Sequence, residues 1–535
     1  MRLLMIALAA PAIACGVVVH GATIEPEGRD RQAVAAALER AGPGDVVQLP
    51  PGEFEIAEAL RPKSGIKLLG AGPEKTRLVY CGTQPSVLIR LEGCEDVEIA
   101  QLTLDGRNNP LVQQGIAGSK ARRLWLHHLG IRNLSAKTWG PHAILFSGGN
   151  PNMAGGVTDS RISDCRIENI GLRAEYGGGI RLAWGSVRNQ VLRNVIHNTG
   201  RGGIFGDHSA ELIIRQNRVT GSGGEGLGIE IWGGCPRSLI EDNTIDHWLS
   251  VDQGHRSAVR RNTVTASDGT LKFLGIEIIA RDMVVTDNVV GPGARIGLSV
   301  SNVPVKNNVF WGYNTIRDCV QWGAQLQGEK GGAAQHYFYR CTFAHAHRGD
   351  PHAIYPGDDG HGLRTNGDCR QMVFEDCVFR DNGGYGLQLG GPRVDAITLL
   401  HCDVAGNGLA AVSGPAAYSA LEFNHCRVEG NGSNQLPPAR PFAGAPPVAD
   451  FGFPRTIRAG QPAAFQCSSR AAAGTIAQRL WDFGHGIPEV TAAPEHCYDL
   501  PGTYRVTLVV WDSAGRGGRV EKMIHVLNLD SCKLR

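Results

Sequence analysis

Net charge is almost absent from this chain. Fifty-three basic residues stand against 51 acidic ones, a formal +2 over 535 residues, so no global field draws it to nucleic acid or to an anionic membrane. Charge of either sign is scarce as well, at 19% of residues, which argues against long solvated helices and against disorder. Beyond the first residues, no stretch reaches the ~20 consecutive apolar residues that span a bilayer. The 14 cysteines do not fall in the tight clusters of small disulfide-stapled domains. What the chain has in quantity is glycine, 72 residues, beside a 42% hydrophobic fraction. That is the composition of many short buried strands joined by turns.

Met1 and Arg2 precede an apolar run from Leu3 to Ala14, which ends in the small-x-small pattern Ala12-Ile13-Ala14 of a signal-peptidase site. Residues 1–21 are therefore expected to be a signal peptide, with cleavage after Ala14, and the protein to be secreted or held at the cell surface. Cys15, directly after the site, is where a lipid anchor would attach.

Between Ile99 and Val428 one pattern recurs: apolar, any, any, special, any, apolar. The special residue is Leu102, Leu129, Cys165, Asn194, Asn217, Asn243, Asn262, Asn288, Asn308, Cys341, Cys377, Cys402 and Cys426, at spacings of 19 to 36 residues. A unit of about two dozen residues cannot bury its apolar face alone, so successive units must stack. Asn tolerates left-handed backbone and its amide can bond the next Asn, which accounts for a polar residue recurring inside an apolar coil. Cysteine fills the same small interior site. Cys165, Cys341, Cys377, Cys402 and Cys426 thus read as structural thiols, not as metal ligands or nucleophiles. Arg29 to Ala41 reads as a short amphipathic helix, with Val34, Ala37, Leu38 and Ala41 on one face and a stop at Gly42-Pro43-Gly44. It is placed to cap the open edge of the first coil.

Cap, early strands and ladder together resemble the pectate lyase and polygalacturonase superfamily of right-handed parallel β-helices over residues 22–432. The resemblance implies an all-β solenoid whose substrate lies on the strand before the first turn of each coil. A Pro-rich linker follows at 433–447 ("LPPARPFAGAPP" within it). Residues 448–529 contain Trp481-Asp482-Phe483-Gly484 and "PGTYRVTLVVWDSAG", and resemble the polycystic-kidney-disease (PKD) domain, an immunoglobulin-like β-sandwich. His485 stands where that family has Asp, Cys467 and Cys497 are candidates for a bridge, and the domain reads as a spacer. Residues 530–535 form a tail.

Ahead of most ladder residues lies a second recurring strand, Gly-apolar-x-apolar, seen in "GIRL", "GIEI", "GLSV", "GAQL" and "GLQL". Strand side chains alternate, so x points outward. The outward column is Arg181, Phe205, Glu230, Ser250 or Asp252, Glu277, Ser299, Gln325, Arg364 and Gln388, with Asp207, Trp232 and Asp252 one position further out. Rungs about 4.8 Å apart place the backbones of Glu230 and Glu277 about 10 Å apart. Glycoside hydrolysis needs two carboxyl groups at about 5 Å for retention or about 6.5–9.5 Å for inversion. Glu230, Asp252 and Glu277 are the expected catalytic set, with Trp232 as a stacking surface for a sugar ring. The longest gaps between ladder residues, after Leu129, Asn308 and Cys341, place loops beside this face.

Other chemistries compete for the same face. A lyase or uronate epimerase needs a base and positive groups that neutralise the sugar carboxylate. Arg181, Asp207, His208, His255, Arg256, His361 and Arg364 are available as substrate-binding or proton-transferring groups, and "GDHS" resembles part of the Asp-Pro-His motif of mannuronan epimerases. A non-catalytic carbohydrate-binding or adhesion protein is the third alternative. The expected partner is an extracellular polysaccharide, met by a monomer, with no nucleic acid and no membrane span. No cofactor or metal is required. Calcium is the one ion that Asp350, Asp358 and Asp359 could take, although no spacing matches a calcium loop.

Overall fold

The computed structural model describes residues 21–528 apart from 137–139, 151, 173–175, 224–226, 266–273, 304–306, 350–356 and 415–417. The expected signal peptide, Cys15 and Asp350 lie outside the described residues. No helix among the described residues is long and apolar enough to cross a membrane.

The body is a parallel β-helix. Each coil contributes up to three short strands, and every one pairs in parallel with its counterpart in the next coil. Strands Gly202–Asp207, Ile213–Arg215 and Arg218–Ser222 make one coil; they pair respectively with Leu227–Trp232, Leu239–Glu241 and Thr244–Ile245 of the next. The interior is one continuous apolar column from Val34 to Leu421. The helix Arg31–Arg40, N-capped by the Asp30 carboxylate on the Ala33 amide, buries Val34, Ala37 and Leu38 over the first coil. It is the cap read from the sequence.

The recurring asparagines sit in the sharp turn between the second and third strands. Asn194 donates from both its backbone N–H and its Nδ2 to Asn217 Oδ1, at 3.0 Å each, and Nδ2 also reaches Ile162 O of the coil before. Asn217, Asn243, Asn262 and Asn288 repeat the arrangement. Two corrections to the sequence reading follow. The left-handed residue is not the asparagine but the one before it: Arg193, Gln216, Asp242, Arg261 and Asp287 all have φ between 52° and 59°. And the ladder passes from Asn288 to Asn314 and then to Cys341, with steps of 26 and 27 residues. Asn308 lies elsewhere, bonded to Asp282 and to Arg479 O. The gap expected after Asn308 therefore vanishes, and Trp311–Gln325 supplies strand instead of a loop. From Cys341 onward the thiols take over: Cys341, Cys377 and Cys402 are buried and Cys426 half-buried, with S–H groups directed at carbonyls such as Trp311 O and Phe374 O.

The C-terminal sandwich is not a spacer standing clear of the solenoid. The outward column of the second strands runs in register through Leu239, Ala258, Val284, Phe310, Tyr337 and Val373, and Leu480, Val509 and Trp511 pack on it. Ion pairs, from fully to partly buried, fix the contact. Arg260, 1% exposed, bonds Asp482 at 2.6 Å, Arg519 bonds Glu375 at 2.9 Å over the Tyr339 ring, and Arg505 bonds Asp287 at 2.6 Å. The candidate bridge is absent: both cysteines are free. Cys497 lies opposite Pro462, whereas Cys467, five residues further along the chain, pairs with Phe451.

Asn243→Ala removes an acceptor shared by two Asn217 donors; the buried backbone N–H is left unpaired, while Nδ2 keeps Val191 O, and the two bonds donated by Asn243 Nδ2 are lost as well. It is expected to lower unfolding free energy by about 3 kcal/mol, read as a shift in urea midpoint at constant m. Asn243→Cys, the residue the chain itself uses from Cys341 on, should cost less than Ala.

Candidate active site

The first strands of the coils form a face whose outward column is Leu145, Arg181, Phe205, Glu230, Ser250, Glu277, Ser299, Gln325, Arg364, Gln388 and Ser413, each in register with the next. Ser250, not Asp252, stands between the two glutamates. Asp207 lies two residues beyond this column beside Trp232, and Asp252 is opposite Ile279.

One pocket on this face, about 360 Å³, brings together Tyr176, Arg181, Trp184, Arg201, Phe205, Asp207, Glu230 and Trp232. Glu230 Oε1 is 3.4 Å from Arg201 Nη2. Burial pushes its carboxyl above the usual glutamate range, and Arg201 only partly offsets the shift. Asp207, on the neighbouring coil, is 3% exposed and gives one oxygen to Arg181 Nη2 at 2.5 Å and the other to His208 Nδ1 at 2.6 Å. The imidazole is stacked on Trp184 at 4.3 Å and meets Trp232 edge-on at 5.4 Å. Gly233 admits it, since a Cβ there would stand 2.4 Å from His208 Cε1. The carboxylate on Nδ1 holds that nitrogen as the donor and leaves Nε2 as a proton acceptor.

The other expected residues lie further along. Glu277, 6% exposed, accepts from Ser250 at 2.8 Å and from Ser301, and burial raises its pKa. Asp252 is also raised by burial. Neither lines the pocket. His255 sits in the turn after Asp252 and accepts the Arg281 amide at 3.2 Å on Nδ1; burial first, then Arg281, lowers its pKa. Arg256 follows it with φ 57°. His361 and Arg364 form a separate cluster, at 2.9 Å each from opposite oxygens of Asp358. His361 has its second nitrogen taken by the Tyr385 amide, so it has no free lone pair. Asp359 accepts from the Gly349 amide at 2.7 Å.

Tyr176, Arg201 and Trp184 were missed by the sequence reading. Arg201 and Tyr176 belong to turns entering the strands and Trp184 to a turn leaving one, whereas the alternation rule reads strand interiors only. The signal available was position: "EYGGGIRLAW" and "GRGGIFGDHS" set both ends of consecutive first strands.

Residues 143–245 match the family model of the right-handed β-helix region, and residues 444–526 that of the PKD domain. The chain is a right-handed β-helix protein with a C-terminal PKD domain. The PKD1 domain of a Vibrio cholerae metalloprotease is 34% identical, covering 16% of this chain and 99% of that one, with a TM-score of 0.15. Among solenoids, an alginate lyase from Paenibacillus is 19% identical over 52% of this chain and 98% of that one, with a TM-score of 0.41. The A-module of an Azotobacter vinelandii mannuronan C-5 epimerase is 16% identical over 80% and 98%, with a TM-score of 0.40. These last two likenesses carry nothing about the reaction of this β-helix protein. No curated protein sequence matches the chain.

Glu277 binds its proton more tightly folded than unfolded, so its contribution to stability is present at acid pH and is lost as pH rises through its raised pKa. Glu277→Gln, which stays neutral, is expected to raise Tm relative to the parent at pH 8, with the difference shrinking toward pH 4. Thermal unfolding across that range checks it; a lower Tm at pH 8 contradicts it.

Proposed function

We propose that the protein is a carbohydrate-active enzyme that acts on an acidic polysaccharide in the pocket of the β-helix face, beginning with removal of a proton next to the sugar carboxylate. The observation that carries this reading is the state of Asp207. Both its oxygens are engaged, so it is poorly placed to attack a sugar or activate water, while the histidine it orients keeps a free ring nitrogen. His208 is then the base. Arg181 and Arg201 face the substrate carboxylate, and Glu230, whose proton burial holds more tightly than usual, donates a hydrogen bond to it in its protonated form. The C5–H electron pair moves into the carboxylate as an enolate. In elimination, the C4–O bond breaks, a C4–C5 double bond forms, and the leaving oxygen takes a proton from Tyr176 or water. Reprotonation at C5 instead gives the epimer. Trp232, 47% exposed, offers its indole face to a neighbouring ring.

Hydrolysis by paired glutamates is the second reading. It is favoured by the raised pKa of both Glu230 and Glu277, two rungs apart on one column. Export from the cell, for which the apolar run after Arg2 is the support, belongs to either reading.

The two readings part on product and on one variant. With polygalacturonate, alginate and a neutral β-glucan as substrates, proton abstraction predicts reaction on an acidic polymer, with ultraviolet absorbance from unsaturated ends or a changed sugar NMR spectrum. Reducing ends without either signal mean hydrolysis. His208→Ala should lower kcat by about 10²- to 10⁴-fold. Glu230→Gln, which preserves a neutral donor, should stay within about tenfold of the parent. It should also lose the activity decline that the parent shows as pH rises through the raised Glu230 pKa. Complete loss in Glu230→Gln would support the hydrolase.

A further inference from the structure

The second-strand column that receives the PKD domain continues beyond it. In register it reads Trp125, Arg161, Gln190, Ile213 and then Leu239, where the PKD domain takes over. The three steps from Trp125 to Ile213, at about 4.8 Å each, make a strip about 14 Å long, on a different face of the coils from the pocket of Glu230. The strip is not an ordinary solvated surface. Trp125 is 43% exposed, its indole steadied by stacking on His127 at 4.0 Å. Arg161 has no carboxylate partner among the described residues, and its Nε is buried without a hydrogen bond. The arginines on neighbouring turns are paired, Arg188 with Asp159 at 2.6 Å and Arg193 with Asp164 at 2.7 Å. The Gly486–Ile487 loop of the PKD domain overhangs the end of the strip and closes a cleft of about 660 Å³ over Ile213, Gln190 and Arg161.

We propose that this cleft and strip bind an acidic glycan chain independently of the reaction site. The anionic group pairs with the Arg161 guanidinium, the Gln190 amide bonds ring hydroxyls, and a sugar face stacks on Trp125. The PKD domain contributes by roofing one end, so the site exists only with the domain docked. The polysaccharide class is shared with the reading given above and rests on it; the site itself rests on the unpaired arginine and exposed indole.

The test is binding of the full chain to polygalacturonate and to alginate in affinity gels, with a neutral β-glucan as control. No turnover is needed, so the result does not depend on the reaction assigned to Glu230 and His208. Arg161→Glu should weaken retardation by an acidic polymer at least about fivefold, and Trp125→Ala should weaken it as well. Arg193→Ala, an exposed arginine on another turn, should leave it unchanged. Unaltered retardation with Arg161→Glu overturns the proposal. Equal dependence on Arg161 and Arg193 also overturns it, because that is nonspecific charge. Retardation by the neutral glucan that responds to Trp125→Ala but not to Arg161→Glu overturns the acidic class. A Tm within about 2 °C of the parent confirms that each variant is folded.

Discussion

Each coil of this solenoid turns sharply between its second and third strands, and the backbone N–H at that turn points along the stack, not into a strand pair. The side-chain oxygen of the next asparagine accepts it, and the amide of the same residue returns to the carbonyl of the coil before. A buried N–H left unpaired costs about 1–3 kcal/mol, so the ladder secures the most costly polar groups of the interior and locks each coil to its neighbours at one register. Exposed Asp–Arg pairs between successive left-handed residues, such as Asp164 with Arg193 and Asp242 with Arg261, add little energy individually. They lie on the same turn and follow the same register.

Everything placed on the surface inherits that register. Because each residue stands opposite its counterpart one coil away, a column of outward positions becomes a line of chemistry. On the first strands the line passes Arg181, Phe205 and Glu230, and the adjacent line adds Asp207 and Trp232, so residues about 25 positions apart in the chain meet in one pocket. On the second strands the same rule gathers Leu239, Ala258, Val284 and Phe310 into an apolar stripe that the PKD domain covers. The buried Arg260–Asp482 pair fixes where the domain sits: removing one partner would leave the other charge buried alone, a penalty of several kcal/mol.

The fold was legible because its signal repeats. Apolar pairs flanking Asn or Cys recur too often to be local accidents, and the outward column read from Gly-apolar-x-apolar strands coincides with the paired register. The reading slipped by six residues in one coil because "VKNNVF" and "WGYNTI" satisfy the same six-residue pattern; only the steps of 26 and 27 residues through Asn314 separate them. The site was half legible. Glu230, Asp207, Arg181 and Trp232 lie on strands, where alternation fixes direction, and His208 follows Asp207 directly in the turn. Arg201 and Tyr176 come from turns whose direction no periodicity sets. Asp252 and Glu277 looked equivalent to Glu230 in sequence, and what distinguishes them is burial and the serines that hold Glu277. The docking of the PKD domain left a trace too, in the apolar outward residues of the second strands, but those residues resemble ordinary strand content until the coils are stacked.

On the proposed reading the substrate carboxylate lies between Arg181 and Arg201 against Glu230, and His208, hydrogen-bonded to the pocket residue Asp207, is the base. The most direct measurement is a crystal structure of the His208→Ala variant with a uronate oligosaccharide bound. The account predicts one sugar carboxylate within hydrogen-bonding distance of Arg181 or Arg201 and of Glu230, with the C5–H directed at the space vacated by the imidazole. An oligosaccharide seated over Glu277, with a glycosidic oxygen against that carboxyl and no contact to Arg201, would contradict it.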